Sequence, residues 1–409
     1  MKLSGLSALL LLGVLVFAHI WLDQEIHPRT SVHQNTVLPE PEIRIPATAS
    51  TPEISSLHAK YACLMDSTSH RILYGKEENA KVPMASTTKI MTALLALESG
   101  RTEETVTASA KAASMPKVHL GMRAGNKYKL KDLLYSLMLE SHNDTAVAIA
   151  EHLGGSIEGF ATLMNQKAAA LGMAGTHFVT PNGLDADGHY STASDMCLLA
   201  GYAIQNPAFL QLVQTKSYRF SDYSGKHTYS LSNKDAFLSY YEGALGIKTG
   251  FTGKAGYCFV GAAKRMNQTL VSSVLACGWP PNKSWKWTDT KTLMDYGMEN
   301  FSSSTLPIQD LTLVRIPMID AKKRTVSLCQ PSPIPATLGR SDEITVIYDI
   351  PDSLYAPIRK TVSVGTISFY INNKFFRKVE VFPSESIEKS DFSDTIENVL
   401  SVWMEIFGM

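Results

Sequence analysis

A serine and a lysine that lie three residues apart give this chain a pair of groups suited to acyl transfer. Ser86 and Lys89 stand near the start of residues 82–97, where apolar positions repeat at the helical period. Residues three apart share one face of a helix, so the Lys89 amine can reach the Ser86 hydroxyl. The first turn of a helix also favours a developing anion, because it presents free N–H groups and the positive end of the dipole. One turn can therefore supply a nucleophile, a base and an anion-stabilising terminus.

A second polar motif, Ser141, His142 and Asn143, separates two segments with helical periodicity, residues 130–139 and 144–153. Short connections between helices commonly present functional side chains on a rigid scaffold. Two interpretations of Asn143 follow from the residues alone. Its side chain is part of a site, or it only caps the following helix. We interpret His142 as a spacer between the two functional positions.

A third motif, Lys248–Thr249–Gly250, leads into a turn and then into residues 256–263 and 269–277. Both segments are almost continuously apolar, which predicts strands that are covered on both faces of a sheet. The long loop at residues 178–192 is rich in Asn, Gly and Asp, and we expect it to border a cleft. These features predict one site to which a helix, a loop and a strand contribute.

Composition limits the classes of function. The chain has 409 residues, of which 44% are hydrophobic, so it can form about two domains with tails. Its formal net charge is zero, which argues against nucleic acid as a partner. The sequence contains no HExxH motif, no paired CxxC motif and no histidine spacing typical of metal ligands. We therefore expect neither a metal nor another cofactor.

The termini predict export and contact with a membrane. Residues 1–22 contain one early lysine and then an apolar run, which is typical of a cleaved signal peptide or of a retained membrane anchor. Either interpretation places the rest of the chain outside the cytoplasm. Residues 23–55 contain several prolines and no periodicity, and they predict an extended stalk. Residues 384–409 predict an amphipathic helix that lies on a membrane or packs against protein.

Between these ends we predict a main domain at residues 56–303 and a small all-β domain at residues 304–383, where strand patterns follow one another almost without helical signal. The five cysteines are scattered and odd in number, which does not indicate a disulfide framework. Buried free thiols are the main interpretation, and a bridge between Cys258 and Cys277 is the alternative.

The three motifs, in this order, resemble the S-x-x-K, S-x-N and K-T-G signature shared by penicillin-binding proteins and serine β-lactamases. The surrounding sequences, such as MASTTKIMTALLALE and GIKTGFTGKAGYCFVGAAKR, are similar to the D-alanyl-D-alanine carboxypeptidases among low-molecular-mass penicillin-binding proteins. The resemblance covers about residues 54–301. It implies an α+β fold, with a β-lactamase/transpeptidase-like domain (a helical cluster on an antiparallel sheet) followed by the small all-β domain.

The resemblance also implies a role for each motif residue. Ser86 would form an acyl-enzyme, with Lys89 as its base, and the N–H groups of Ser86 and Phe251 would form the oxyanion hole. The remaining roles are a proton relay and amide contact from Ser141 and Asn143, carboxylate recognition by Lys248 and Thr249, and close approach of the substrate at Gly250.

The implied activity is removal of the terminal D-alanine from peptidoglycan stem peptides, with β-lactam antibiotics as inhibitors, on the outer side of a bacterial cell membrane. A DD-endopeptidase or a β-lactamase could use the same site. For the β-lactamase, we find no Glu-x-x-Leu-Asn loop between the second and third motifs. A catalytically inactive peptidoglycan-binding protein is the alternative that is not an enzyme.

Overall fold

The computed structural model of the protein describes residues 37–391 together with residues 396, 400 and 404. The predicted export segment at residues 1–22 and most of the predicted amphipathic helix at residues 384–409 lie outside these residues. The described residues 384–391 are not helical, because Ile387 and Lys389 form β-bridges with Ile358 and Ala321, so the predicted start of that helix is wrong. The described chain forms two compact units. The larger contains Thr48–Thr305 and Pro335–Ser341, and the smaller contains residues 37–47, Leu306–Ile334 and residues 342–391.

Short strands and helices follow one another along the described chain. The strands are β1 Glu42–Ile45, β2 Tyr61–Asp66, β3 Ile72–Lys76, β4 Thr105–Thr107, β5 Lys127–Lys129, β6 Ser217–Ser221, β7 Thr228–Ser232, β8 Ala244–Thr252, β9 Gly256–Arg265, β10 Gln268–Leu275, β11 Phe301–Thr305, β12 Ile316–Ile319, β13 Thr325–Val326, β14 Pro335–Gly339, β15 Ile344–Asp349, β16 Leu354–Tyr355, β17 Gly365–Ile371 and β18 Lys374–Val381. The α-helices are α1 Lys89–Glu98, α2 Ala110–Ala113, α3 Leu130–Leu139, α4 Asn143–Gly154, α5 Ile157–Ala170, α6 Ala193–Ala203, α7 Pro207–Gln214, α8 Phe237–Tyr240 and α9 Trp285–Asn300.

A five-stranded antiparallel sheet, in the order β3-β2-β10-β9-β8, is the middle layer of the larger unit. Successive strand residues point to opposite faces of a sheet, and here both faces are buried. On β2, Cys63 and Met65 belong to the core beneath the helical cluster, whereas Ala62 and Leu64 belong to the core beneath α9. This double burial explains the continuous apolar runs of β9 and β10. The predicted α+β class is confirmed.

The helix that begins the site differs in detail from its prediction. Ala85–Thr88 forms a turn of 3-10 helix, and the α-helix starts only at Lys89. The apolar period of residues 82–97 does not distinguish these two helix types, because it reports one buried face in either case. Within the described residues no single helix is long and apolar enough to span a membrane. Only α6 and α7 taken together meet that criterion, and they are bent by 107°.

The smaller unit contains a four-stranded sheet in the order β1-β15-β17-β18. Strand β1 lies within the predicted stalk at residues 23–55, and the structure therefore differs from that prediction. Glu42–Ile45 alternates polar and apolar residues, which is the strand period, and Ile43 lies opposite Val346 on β15. Because prolines flank this short alternating segment on both sides, the sequence was interpreted as a stalk and not as a strand.

Strand β14 pairs with β11 inside the larger unit, although it lies within the predicted all-β domain at residues 304–383. The predicted domain is thus interrupted at Pro335–Ser341. All five cysteines are free, so the alternative bridge between Cys258 and Cys277 is not formed. Four of the thiols are buried, and Cys329 is exposed.

Candidate active site

The 3-10 turn at Ala85–Thr88 presents Ser86 between the helical cluster and the edge of the central sheet. Ala85 is buried and has a φ of 49°, in the left-handed region that is unfavourable for residues with a Cβ atom. Two threonines of the turn secure it, because Thr87 Oγ1 donates to Met84 O over 2.6 Å and Thr88 Oγ1 donates to Ala85 O over 2.9 Å. The nucleophile predicted from the sequence therefore stands on a strained but well-anchored turn.

The amine of Lys89 is fully buried and lies next to the hydroxyl of Ser86. Its Nζ is 2.8 Å from Ser86 Oγ, 3.0 Å from Asn143 Oδ1 and 2.6 Å from the backbone oxygen of Asn182. The two carbonyl oxygens can only accept hydrogen bonds. A neutral amine has two hydrogens for them, and its lone pair is then directed at the Ser86 hydroxyl. This geometry suits proton transfer from Ser86 to Lys89.

The electrostatic environment favours this neutral form. Burial lowers the pKa of Lys89 well below its ordinary value, and the nearby charge of Lys248 lowers it further, while Asp144 opposes the shift. Burial disfavours the charged amine because water is excluded from it, and the charge of Lys248 disfavours a second positive charge nearby. A lysine amine in this setting can serve as a general base near neutral pH.

Ser141 and Asn143 flank the start of α4, and the structure decides between the two interpretations of Asn143. The helix cap position belongs to His142, and Asn143 is the first helical residue. Its side chain donates to Pro116 O over 3.2 Å and accepts from Lys89. The capping interpretation is therefore wrong. Ser141 has a φ of 67°, and within the described part of the chain its hydroxyl has no hydrogen bond to Ser86 or Lys89.

Strand β8 carries the third motif along the edge of the central sheet. Its Lys248 is buried, and Nζ donates to the oxygen of Thr249 over 3.0 Å. Burial lowers the pKa of Lys248 to about 8, and Asp235 opposes the shift. Gly250 lies against the Ser86 turn, where a Cβ atom would be 3.1 Å from both Met84 O and Ser86 N. This close approach brings β8 beside the nucleophile. Phe251 is partly exposed, with its ring 4.6 Å from that of Tyr257.

Comparison with known proteins decides which family this site represents. The family model described as D-alanyl-D-alanine carboxypeptidase matches residues 46–278, which include all three motifs. The chain belongs to the D-alanyl-D-alanine carboxypeptidase family. A second model, described as the C-terminal domain of penicillin-binding protein 5, matches residues 301–389.

Individual relatives agree with this family. The chain is 28% identical to D-alanyl-D-alanine carboxypeptidase DacF of Bacillus subtilis over 84% of its own length and 90% of the relative. It is 36% identical to DacB2 of Mycobacterium tuberculosis over 57% of its own length and 79% of the relative. The crystal structure of penicillin-binding protein 5 from Haemophilus influenzae has the same fold, with a TM-score of 0.70 and 24% identity over 83% of this chain and 100% of that chain.

In this member of the carboxypeptidase family, the loop at residues 178–192 completes the site that the three motifs form. The oxygen of Asn182 accepts from Lys89, a contact that no side-chain type could indicate. Gly183 has a φ of 80°, and a Cβ atom there would be 1.9 Å from Ala85 O. The sequence could have indicated a tight turn at this point of the loop, because Gly183 follows Pro181 and Asn182, and glycine after asparagine is typical of tight turns.

Asp144 is a second residue of this site that the sequence motifs did not predict. Its carboxylate accepts from the backbone N–H groups of Leu120, Gly121 and Met122, over 2.9, 2.9 and 3.1 Å. These bonds hold the segment at residues 118–122 in place. The N–H of Asn143 donates to Val118 O in the same segment, over 2.8 Å. The sequence could have indicated this role of Asp144, because an acidic residue follows S-x-N directly and a carboxylate at such a position commonly binds free N–H groups.

Proposed function

We propose that the protein is a serine-type D-alanyl-D-alanine carboxypeptidase that removes the terminal D-alanine from peptidoglycan stem pentapeptides. One observation carries this proposal: the buried Lys89 Nζ is held by two obligate acceptors and lies 2.8 Å from Ser86 Oγ. A serine hydroxyl needs such a base to attack an amide. The family of the chain and the names of its curated relatives support the same activity.

In the first half-reaction, Ser86 Oγ attacks the carbonyl carbon between the two D-alanines while its proton passes to Lys89 Nζ. The carbonyl oxygen becomes an oxyanion, which the N–H groups of Ser86 and Phe251 would stabilise. Collapse of this intermediate breaks the amide bond. The leaving amine takes up the proton held by Lys89 Nζ, for which the Ser141 hydroxyl is the proposed relay, and D-alanine departs while Lys89 returns to its neutral form. Ser86 is left as an ester of the shortened peptide.

In the second half-reaction, water attacks the ester, and Lys89 can accept its proton in the same way. Lys89 then returns this proton to Ser86 Oγ as the ester bond breaks, which gives the shortened peptide, free Ser86 and neutral Lys89. The positive charge of Lys248 and the Thr249 hydroxyl are proposed to bind the terminal carboxylate of the substrate. This contact would place the scissile bond above Ser86, because β8 runs directly beside the Ser86 turn.

β-Lactam antibiotics are proposed to acylate the same hydroxyl, since their strained amide would occupy the position of the D-Ala-D-Ala bond. We also propose that the enzyme works on the outer side of the cytoplasmic membrane and is associated with that membrane. The apolar run within residues 1–22 supports export, as either a cleaved signal or a retained anchor.

The decisive experiment incubates the purified protein with a stem pentapeptide that ends in D-Ala-D-Ala and follows the products by mass spectrometry. We expect the loss of one alanine and no further shortening. A matched pentapeptide ending in D-Ala-L-Ala is the control and should remain intact. Cleavage of a cross-linked peptide dimer in preference to the pentapeptide would instead indicate an endopeptidase. A penicilloyl-enzyme that decays within milliseconds would indicate a β-lactamase.

The pH dependence of kcat/KM should be bell-shaped. Activity should rise with pH as Lys89 loses its proton, and it should fall above about 8 as Lys248 loses the charge that binds the substrate carboxylate. Initial rates between pH 5 and pH 10 would measure both limbs. In Lys248→Arg, the alkaline limb should move upward, because a guanidinium stays charged over this range. An unchanged alkaline limb in that variant would contradict the assignment of Lys248.

A further inference from the structure

Ser141 has a backbone conformation that its residue type does not favour. With φ at 67° it lies in the left-handed region, where glycine and asparagine are the residues commonly found. Such conformations persist when surrounding contacts fix them, and they concentrate at functional sites. A glycine would adopt this turn without strain, but it has no hydroxyl. The structure must therefore hold a serine here by other means.

The side chains of the two neighbours of Ser141 are fixed by contacts with two other parts of the chain. Glu140 Oε1 accepts from the N–H of Ser232 over 3.0 Å and lies 3.2 Å from Lys234 Nζ, so it connects the loop to the segment after β7. On the other side of Ser141, His142 is buried, and its Nδ1 is 2.8 Å from Ser136 Oγ on α3.

The two neighbours are also joined to each other, since His142 Nε2 lies 3.4 Å from Glu140 Oε2. We call this pair, with its partners Ser136 and Lys234, the Ser141 clamp. Burial lowers the pKa of His142, with Asp144 and Glu140 opposing the shift, so the imidazole is neutral near pH 7. In that state, Ser136 can donate to Nδ1, whereas the contact of Nε2 with the Glu140 carboxylate is longer than an ordinary hydrogen bond.

We propose that Glu140 and His142 are positioning residues, which act through the Ser141 clamp to hold the Ser141 hydroxyl at the reaction site. This inference rests on the proposed function. It replaces the interpretation of His142 as a spacer. If the clamp acts through Ser141, then its loss should impair turnover more than substrate binding. It should also have no further effect once the Ser141 hydroxyl has been removed.

A double-mutant cycle on the full chain tests this dependence. Glu140→Ala and His142→Ala are each combined with Ser141→Ala, and acylation by a fluorescent penicillin is followed for long enough to measure slow rates. With Ser141 present, we expect each variant to lower the acylation rate at least tenfold, and kcat for the pentapeptide to fall while KM changes less than threefold. With Ser141→Ala, the same substitutions should change the acylation rate less than twofold. If each substitution slows acylation by the same factor with Ser141 present and with Ser141→Ala, the proposal is wrong.

Two further variants separate positioning from general stability. Glu140→Gln keeps an acceptor for the Ser232 N–H and should recover most of the rate that Glu140→Ala loses. The matched control is His152→Ala. This histidine also lies on α4 and pairs with a glutamate, Glu104, at 2.8 Å, but it is nine residues beyond Asn143, and its side-chain partners are Glu104 and Arg101, not residues of the three motifs. We expect its acylation rate to stay within twofold of that of the unmodified protein. An equal loss in His152→Ala would overturn the proposal.

A structural measurement keeps this test separate from the proposed function. In a crystal structure of Glu140→Ala, or of His142→Ala if that variant does not fold, we expect Ser141 to leave the left-handed region or its hydroxyl to move. This result requires no enzymatic activity. An unchanged Ser141 in those crystals would overturn the clamp even if the carboxypeptidase assay succeeds, whereas failure of that assay alone would contradict only the proposed function.

Discussion

Replacement of Ser86 by alanine should abolish acylation and D-alanine release. The peptide or the penicillin becomes attached to the Ser86 hydroxyl, because the other two hydroxyls of the turn, on Thr87 and Thr88, are buried and donate to backbone oxygens. Loss of the nucleophile in serine hydrolases that act through such a unit lowers kcat by several orders of magnitude, and here we expect a loss of at least about 10⁴-fold. Mass spectrometry after incubation with penicillin would measure it as the absence of the covalent adduct.

The fold should tolerate this substitution. Removal of Ser86 Oγ takes one of three partners from Lys89 Nζ, which keeps its bonds to Asn143 Oδ1 and Asn182 O, and the bond from Ser86 Oγ to Asn182 O is a long one of 3.4 Å. Ser99→Ala, at the end of the helix that follows the site, is the matched control, because its hydroxyl donates to Ala96 O and accepts from the N–H of Arg101, and neither residue belongs to the three motifs. A penicilloyl adduct on Ser86→Ala would show that another residue is the nucleophile.

Replacement of Lys89 by methionine should have the next largest effect. Methionine fills a similar volume but cannot accept a proton, so Ser86 would have to attack without a base. General-base catalysis typically contributes 10² to 10⁴-fold, and we expect acylation to slow by about 10³-fold. Stopped-flow or manual mixing with a fluorescent penicillin would measure the rate. Asn143 Oδ1 and Asn182 O would both lose a donor, which should lower the free energy of unfolding by about 1–3 kcal/mol.

A second buried lysine provides the control for this substitution. Lys286 on α9 is also buried, has its pKa lowered to about 8 mainly by burial, and donates to Lys283 O over 2.7 Å. Lys286→Met removes a buried amine of the same kind outside the three motifs, and acylation should stay within twofold. If both lysine variants lost acylation equally, the effect of Lys89→Met would reflect disturbed packing and not loss of the base.

The sequence could predict the parts of the site that depend on side-chain type and spacing. Ser86 and Lys89 are one turn apart, and the structure indeed places their polar atoms 2.8 Å from each other. The approach of β8 was also predictable in outline, because a glycine inside a strand indicates that another backbone passes nearby. The class of the fold was implied by the family resemblance that the three motifs and their surrounding sequences carry.

Other parts of the site could not be predicted because no residue type encodes them. Asn182 contributes a backbone oxygen, which every residue has, and only the path of the loop brings it to Lys89. The left-handed turn at Ser141 is likewise invisible in a sequence, since serine seldom adopts it. Strand β1 was missed because a four-residue alternation between prolines is too short to distinguish from a linker.

The pairing of β14 with β11 has a consequence for how this protein would respond to proteases. The backbone leaves the larger unit after Thr305 and returns to it at Pro335–Ser341 before leaving again. A single cleavage between residues 305 and 306 would therefore not liberate an intact N-terminal fragment. The five ladder positions that join Phe301–Thr305 to Pro335–Gly339 would keep the two pieces noncovalently associated. Nicked enzyme should accordingly migrate as one species until it is denatured.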